Sequence, residues 1–525
     1  MKLRPAPFVR DLDTPLLKLS VHDAFTLRHA CEGVHVFGAT GSGKSSGSGN
    51  ALIEAYLRAG MGGVWMCVKP EEVDHAITLA KAQGRGDSVI LFDESQGCNF
   101  IEWELARHGL AGVNNVIECL MRILEAADAA SGTRRASSDE FWSLAIRQVL
   151  NHTVPLLYCA HGTVTVPAIL DFVTSAATHS KQYTDDEWCR GSYAARTMYK
   201  AGAAPIVPID REGQEVLLSY WFNQYTAIPE KTRGNIVISL TTKLERFKHG
   251  RMQRAFCGQT TVVPEMTFHG AVIILAMPVL TWNEDGLIAQ SLFKYLWQRA
   301  VESRNGLATE HRERPVFLFA DEGHYFLDPK DDLFLSTCRA SRACVVFLSQ
   351  TLPSYYARLG KENSDAVDGL IGKFGTQVFH LNACSRTNSY ASQLIGRGLV
   401  ERATRSRTEG TNFSFGMNQG GSSNRNWGSS SGSSSGAQHS SNTGRNHGEG
   451  YGSSWGQNVG NGSNESWTHG SSEQMDWLVE PNFFATGLKN GGRTHGALVS
   501  AVWFKAGGNF TAAGGRHYML TSFKQ

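Results

Sequence analysis

Short apolar runs alternate along the chain with longer segments in which apolar positions recur at helical spacing. The runs are too short for helices and mostly rich in Val, Ile and Phe, which is typical of strands buried on both faces of a sheet. This alternation predicts an α/β fold with a mostly parallel sheet and helices on both sides. The predicted strands cover residues 33–37, 63–68, 88–92, 271–277, 316–320, 344–349, 376–381, 497–504 and 518–523.

The alternation stops between residues 100 and 256, where helix-like segments at 113–127, 140–159 and 166–178 indicate an inserted, mainly helical subdomain. A tract rich in Gly, Ser and Asn follows at 410–472, and its low aliphatic content predicts a flexible insertion. The predicted organisation is a nucleotide-binding domain in two parts (1–100 and 257–409), the helical subdomain (101–256), the flexible insertion (410–472) and C-terminal strands that complete the domain (473–525).

Two features around this tract each allow two interpretations. Aromatic residues spaced through it, such as Trp427, Trp455 and Trp467, fit either a solvated insertion or stacking positions for a single nucleic-acid strand. A basic cluster precedes it, and its arginines are either phosphate contacts or a solvated face. The cluster consists of Arg397, Arg402, Arg405 and Arg407.

Composition and charge narrow the class of protein. With 525 residues, 41% of them hydrophobic, the chain is long enough for two or three packed units. A net charge of +2 excludes a strongly basic binder but permits a local basic groove. Ten scattered cysteines without metal-ligand spacing suggest neither disulfides nor zinc. The N-terminal residues lack a signal-peptide pattern, so we expect a cytoplasmic protein without a transmembrane anchor in this chain.

Residues 38–46 carry a phosphate-binding sequence between a predicted strand and a predicted helix. Glycines let the backbone curl so that successive N–H groups face an anion, and the helix that begins near Lys44 adds its positive end. Lys44 is expected to bridge the β and γ phosphates of ATP, and Ser45 to bind Mg²⁺. The nucleotide-binding residues predicted here are Gly38, Ala39, Thr40, Gly41, Ser42, Gly43, Lys44, Ser45 and Ser46.

Two later strands end in residues that fit the same site. The run 316–320 ends at Asp321 and Glu322, at the edge where open α/β sheets bind ligands. Asp321 is predicted to hold Mg²⁺ through water or Ser45, and Glu322 to deprotonate the attacking water. The next strand ends at Gln350, which is expected to sense the γ phosphate or hold the water.

A predicted helix at 332–342 connects these two strands and contains Arg339 and Arg342. An arginine in this segment is able to reach a phosphate bound by a neighbouring subunit and to stabilise the transition state. Taken singly, an arginine in a helix is more often a solvated residue or a carboxylate partner, and this simpler interpretation stays open for both.

These motifs, in this order, resemble the conjugative DNA-transfer coupling ATPases of type IV secretion systems, within the ring motors that include FtsK and HerA. The resemblance covers about residues 32–395 and is carried by segments 33–45, 64–72, 89–93, 98–101, 140–142, 320–322, 348–351 and 372–376 together with Arg339. It implies a RecA-like nucleotide domain, an inserted all-α domain, a homo-hexamer and ATP-driven passage of DNA through a central channel. It also implies that Arg339, rather than Arg342, is the arginine finger.

The chain differs from this family in lacking an N-terminal transmembrane pair, in its Lys69-Pro70-Glu71 turn and in the 410–472 insertion. A partner of the secretion-system or relaxosome type would then supply the contact with the inner membrane. Two other functions stay open. One is an ATPase that recruits or remodels protein substrates without gripping DNA, and the other is a nucleotide-gated component of a mobile-element or defence complex. Glu322 argues against the latter, because a scaffold needs no positioned base.

Overall fold

The computed structural model describes residues 7–130, 139–328, 331–360, 364–417, 427–434, 439–452 and 457–525. The chain divides into two compact units. The first contains Met1–Thr387 and Phe484–Gln525, and the second is Asn388–Phe483.

A nine-stranded sheet forms the centre of the first unit. Its seven-strand run from β9 to β5 is parallel, and two antiparallel strands, β14 and β15, extend one edge. The order across the sheet is β15-β14-β9-β3-β8-β7-β4-β6-β5. The strands are β3 (Val34–Phe37), β4 (Gly62–Met66), β5 (Val89–Phe92), β6 (Val272–Leu275), β7 (Val316–Ala320), β8 (Ala343–Ser349), β9 (Thr376–Phe379), β14 (Leu498–Lys505) and β15 (Tyr518–Lys524), and a separate hairpin joins β1 (Pro15–Lys18) to β2 (Ala24–Thr26).

The mostly parallel α/β architecture predicted from the alternation is confirmed. Strands β3, β4, β6, β7 and β9 are buried along their whole length, which explains why they are continuous apolar runs. Because β3 lies between β9 and β8, and β7 lies beside β8, the segments that follow β3, β7 and β8 meet at one edge of the sheet.

Helices cover the sheet and fill the long connection between β5 and β6. That connection leaves and returns at neighbouring strands, since Phe92 pairs with Leu275. The borders of the helical subdomain stay a prediction. The helices are α1 (Leu27–Ala30), α2 (Asn50–Arg58), α3 (Pro70–Ala82), α4 (Phe100–His108), α5 (Val113–Ala130), α6 (Asp139–His161), α7 (Val166–Ser175), α8 (Asp186–Gly191), α9 (Tyr193–Ala203), α10 (Arg211–Ser219), α11 (Glu230–Leu244), α12 (Gly250–Cys257), α13 (Val279–Trp282), α14 (Glu284–Ser303), α15 (Thr309–Glu313), α16 (Asp331–Thr337), α17 (Leu352–Leu359), α18 (Ser364–Gly372), α19 (Ser385–Ile395) and α20 (Phe483–Thr486).

The described residues of the Gly/Ser/Asn tract belong to a four-stranded antiparallel sheet in the second unit, with the order β10-β13-β12-β11. Composition carries no signal for these strands, because strand pairing is made by backbone groups and does not depend on aliphatic side chains. The flexibility of the insertion stays a prediction. Trp455 lies outside the described residues. The strands are β10 (Arg397–Met417), β11 (Trp427–Ser434), β12 (His439–Gly452) and β13 (Gln457–Trp477).

One bent pair of helices in the part of the chain that the structure describes has the length and hydropathy needed to cross a bilayer. Among the described residues, no single helix combines the length and hydropathy needed to cross a bilayer. The required length and hydropathy are reached only by two helical segments taken together, Phe141–His161 and Val166–Ser175. These segments are bent by 109° relative to each other.

A buried ion pair fixes the segment that runs from the end of β7 into α16. Lys294 Nζ on α14 lies 2.6 Å from Asp331 Oδ2 and donates at 2.7 Å to the carbonyl oxygen of Phe326. Gln298 Nε2 also donates to Asp331, at 2.7 Å, and both members of the ion pair are buried. These contacts fix the position of the segment that follows Asp321 and Glu322, two residues of the predicted site.

Lys294→Ala is expected to destabilise the protein by about 3–5 kcal/mol, because it leaves the Asp331 carboxylate buried without its cation. Urea denaturation at neutral pH measures this loss. Lys248→Ala is the matched control, since Lys248 forms a pair of similar length (2.8 Å) with Asp171 at the surface. Its expected cost is below about 1 kcal/mol. Equal effects of the two substitutions would contradict the structural role of the Lys294 pair.

Candidate nucleotide-hydrolysis site

The loop after β3 is held at the edge of the sheet by both neighbouring strands. The backbone N–H of Gly38 donates to the carbonyl oxygen of Ser349 at 3.1 Å, and that of Ala39 donates to Leu381 at 3.0 Å. Gly43 has a φ of +81°, and a Cβ there would lie 2.4 Å from a methyl carbon of Val499. Only glycine fits this turn, which explains one of the glycines of the motif.

A π-helix, Ser45–Gly49, follows the loop and continues into α2. The predicted helix start near Lys44 is therefore present with a wider first turn, in which the N–H of Gly49 donates to Lys44 O at 2.8 Å. Ser46 is exposed and its Oγ accepts from Gln525 Nε2 at 2.8 Å. Thr40 and Gly41 form the exposed apex of the loop.

Lys44 lies against the two acids that follow β7. Its Nζ is 3.1 Å from Glu322 Oε1 and 3.7 Å from Asp321 Oδ1. The hydroxyl of Ser45 donates to Asp321 Oδ2. Lys44 and Glu322 retain only 6% and 4% of their surface exposure, so these charges interact with little solvent screening.

Glu322 has an unusual backbone conformation. Its φ and ψ are 56° and 45°, which lie in the left-handed region that residues other than glycine rarely occupy. Such strain concentrates at functional sites, where the surrounding structure maintains it. The conformation is held by the N–H of Glu322, which donates to Asp321 Oδ1 at 3.0 Å.

Gln350 reaches the same carboxylate from the neighbouring strand. Its side-chain Nε2 donates to Glu322 Oε1 at 3.2 Å, and its backbone carbonyl oxygen accepts from Asn382 Nδ2 at 2.7 Å. The structure thus brings together Lys44, Ser45, Asp321, Glu322 and Gln350, from segments after β3, β7 and β8.

The donor set fits a nucleotide with a divalent cation. Within the described chain, the buried atoms Ser42 Oγ and Glu322 Oε2 have no hydrogen-bond partner. A Cβ on Gly41 would meet open space, so the loop apex is free to approach a phosphate. Ser45 and Asp321 present hydroxyl and carboxylate oxygens, the ligands that Mg²⁺ prefers.

Residues near the site that we did not predict as catalytic include Glu72 and two histidines. Glu72 accepts hydrogen bonds from the N–H groups of Val68 and Lys69, at 2.7 and 3.3 Å. Burial raises the pKa of Glu72 to about 7, and the nearby Asp321 charge contributes. His324 follows Glu322 by two positions, and His380 Nε2 lies 2.7 Å from Ser48 Oγ. Nothing in their sequence spacing marks these histidines, because their positions depend on tertiary contacts.

Arg339 is the predicted site residue that the structure does not bring to the cluster. Its guanidinium lies 3.4 Å from Oε1 of Glu32, a residue that precedes β3. Lys44 follows the other end of that strand, so the two side chains lie at opposite ends of β3. The predicted helix 332–342 is also too long: α16 ends at Thr337, and Arg342 has a φ of 48°. Turns that lead the chain into β8 take the place of the last helical residues.

Neither a family model nor a curated protein matches the chain. Among solved structures, it is similar to the bacterial conjugative coupling protein TrwBdeltaN70, with a TM-score of 0.50 and 14% identity over 94% of this chain and 85% of that chain. TrwB with ADP and Mg²⁺ gives a TM-score of 0.45 and 17% identity, covering 72% and 77% of the two chains. VirB4 of Thermoanaerobacter pseudethanolicus gives 0.43 and 12%, covering 75% and 94%. The first of these likenesses shows a common fold.

Proposed function

We propose that this chain is an ATP-hydrolysing motor that translocates DNA, working as a ring in the manner of a conjugative coupling protein. One observation supports this most strongly. A phosphate-binding loop, a hydroxyl–carboxylate pair, a buried glutamate and a glutamine meet at one edge of a sheet with the coupling-protein fold. The proposal places the protein in the cytoplasm, recruited to the inner membrane by a protein partner.

The proposed reaction assigns one task to each side chain. The loop N–H groups and Lys44 bind the phosphates. Ser45 and Asp321 would hold Mg²⁺, which would supply positive charge to the phosphate oxygens. Glu322 accepts a proton from the attacking water, as its position beside Lys44 allows. Gln350, which contacts the same carboxylate, orients that water.

A ring explains the position of Arg339. This side chain is 62% exposed and lies beyond the opposite end of β3 from Lys44 of its own chain. In the proposed ring, Arg339 acts on a nucleotide held by a neighbouring subunit, where an arginine finger raises the rate by about 10³–10⁵-fold.

Arg339→Ala is accordingly expected to lower ATP turnover by at least about 10²-fold while ATP affinity is retained. Mixing this variant with Lys44→Ala should restore part of the activity, since some interfaces then combine an intact Lys44 with an intact Arg339. Arg342→Ala is the control, because Arg342 donates to the backbone carbonyls of Arg10 and Glu313 and is expected to affect stability instead. A wild-type rate for Arg339→Ala would exclude the finger role.

DNA dependence tests the motor proposal. The ATPase rate of the full chain is measured alone, with single-stranded DNA and with double-stranded DNA. We expect at least one form of DNA to raise the rate, and both Lys44→Ala and Glu322→Gln to remove the rise. An active wild-type enzyme whose rate ignores both forms would contradict DNA translocation.

A groove in the helical region favours a second candidate function, an ATPase that recruits a protein substrate. The groove has a volume of about 790 Å³ and contains Tyr199, Phe222, Arg190, Arg196 and Lys200, without an acid among its lining residues. Tyr199 is 76% exposed. An acidic segment with an apolar anchor complements this lining. The alternative requires that an acidic peptide with a central Trp raises turnover, that Arg196→Glu removes this response and that DNA has no effect.

A further inference from the structure

His324 occupies the side of the Glu322 carboxylate that Lys44 and Gln350 leave open. Lys44 and Gln350 both contact Oε1. The other oxygen, Oε2, is buried without a hydrogen-bond partner among the described residues. His324 Nδ1 lies 3.6 Å from this oxygen and 3.2 Å from Ser349 Oγ. The histidine is thus the neighbour of the free carboxylate oxygen.

A buried general base needs a route by which it loses its proton after each turnover. The Glu322 side chain is only 5% exposed, whereas that of His324 is 18% exposed. Lys44 and Gln350 direct N–H donors at this carboxylate and offer it no acceptor for a proton. Both Asp321 oxygens already accept hydrogen bonds, from Ser45 and from the Glu322 backbone.

We propose that His324 receives the proton that Glu322 takes from the attacking water and passes it to solvent. This inference rests on the proposed ATP hydrolysis. An O–H bond of water breaks and its proton goes to Glu322, while the hydroxyl oxygen bonds to the γ phosphorus. The bond from the γ phosphorus to the bridging oxygen breaks, and ADP leaves with that electron pair. Glu322 then transfers the proton to Nδ1, and His324 releases it to water.

The surroundings of His324 keep its ring neutral and ready to accept. Burial lowers the pKa of His324; Glu322 opposes this shift, Lys44 and Arg358 add to it, and Asp321 opposes it. Tyr325 and Tyr355 also face the ring, and burial raises the pKa of Tyr355, which stays uncharged. His35, behind Tyr355, has its pKa lowered by burial to about 3 and is neutral too. A neutral His324 accepts a proton, so relay activity is expected to be lost as the pH falls through the lowered pKa of His324.

Two variants separate proton relay from packing. His324→Gln keeps a side chain able to bond Ser349 but cannot carry a proton, and we expect kcat to fall about 10²-fold with ATP affinity retained. The acid limb that His324 sets in the pH profile of kcat should also disappear. His324→Ala should lose a similar factor and recover at least about tenfold when imidazole is added, because imidazole replaces the missing base.

The control is His152→Ala in the helical region, where His152 stacks on Tyr220 and imidazole should have no effect. A His324→Gln enzyme with the wild-type kcat and pH profile would overturn the relay, as would a His324→Ala enzyme that imidazole does not rescue. Both outcomes leave Lys44-dependent ATP hydrolysis by the wild type intact. Absence of that hydrolysis would instead overturn the proposed function itself.

Discussion

Lys44→Ala is expected to abolish measurable ATP turnover, with a loss of at least about 10²-fold in rate and a marked loss of ATP affinity. The reason is that Lys44 is the buried cation of the loop, 3.1 Å from Glu322 and 3.7 Å from Asp321. Steady-state phosphate release and binding of a fluorescent ATP analogue measure the two effects. Lys81→Ala, at an exposed position on α3, is the control and should behave like wild type. Full turnover by Lys44→Ala would remove the loop from the mechanism.

Glu322→Gln should separate binding from chemistry. The substitution keeps the shape of the side chain but removes the base, so kcat is expected to fall by about 10²–10⁴-fold while ATP binding persists. Single-turnover hydrolysis together with ATP affinity provides the measurement. Glu310→Gln on α15, an exposed acid, is the control. If Glu322→Gln hydrolyses ATP at the wild-type rate, another group must activate the water.

The sheet could be predicted from the sequence because its strands are buried on both faces and so appear as uninterrupted apolar runs. The prediction of 316–320 matches β7 in full, and 376–381 exceeds β9 by two residues. The order of the strands could not be predicted, since parallel neighbours need not be consecutive in the chain. The strands formed by the described residues of the 410–472 tract could not be predicted, because pairing of backbone groups leaves no trace in the composition.

The parts of the site that lie within one short sequence motif could be predicted. The loop at Lys44 and the two acids after β7 each form such a motif, and the structure brings them together. His324 has none, because its contact with Glu322 depends on the left-handed backbone at Glu322 and on Ser349 at the end of β8. The helix break after Thr337 was missed because residues 331–342 contain no glycine or proline.

Displacement of streptavidin from end-biotinylated DNA measures movement of the protein along DNA. The assay uses the full chain with single- and double-stranded substrates, with and without ATP. We expect ATP-dependent release of streptavidin from at least one substrate, and no release by Lys44→Ala or Glu322→Gln. A wild-type enzyme that hydrolyses ATP on DNA but leaves streptavidin in place on every substrate would contradict translocation.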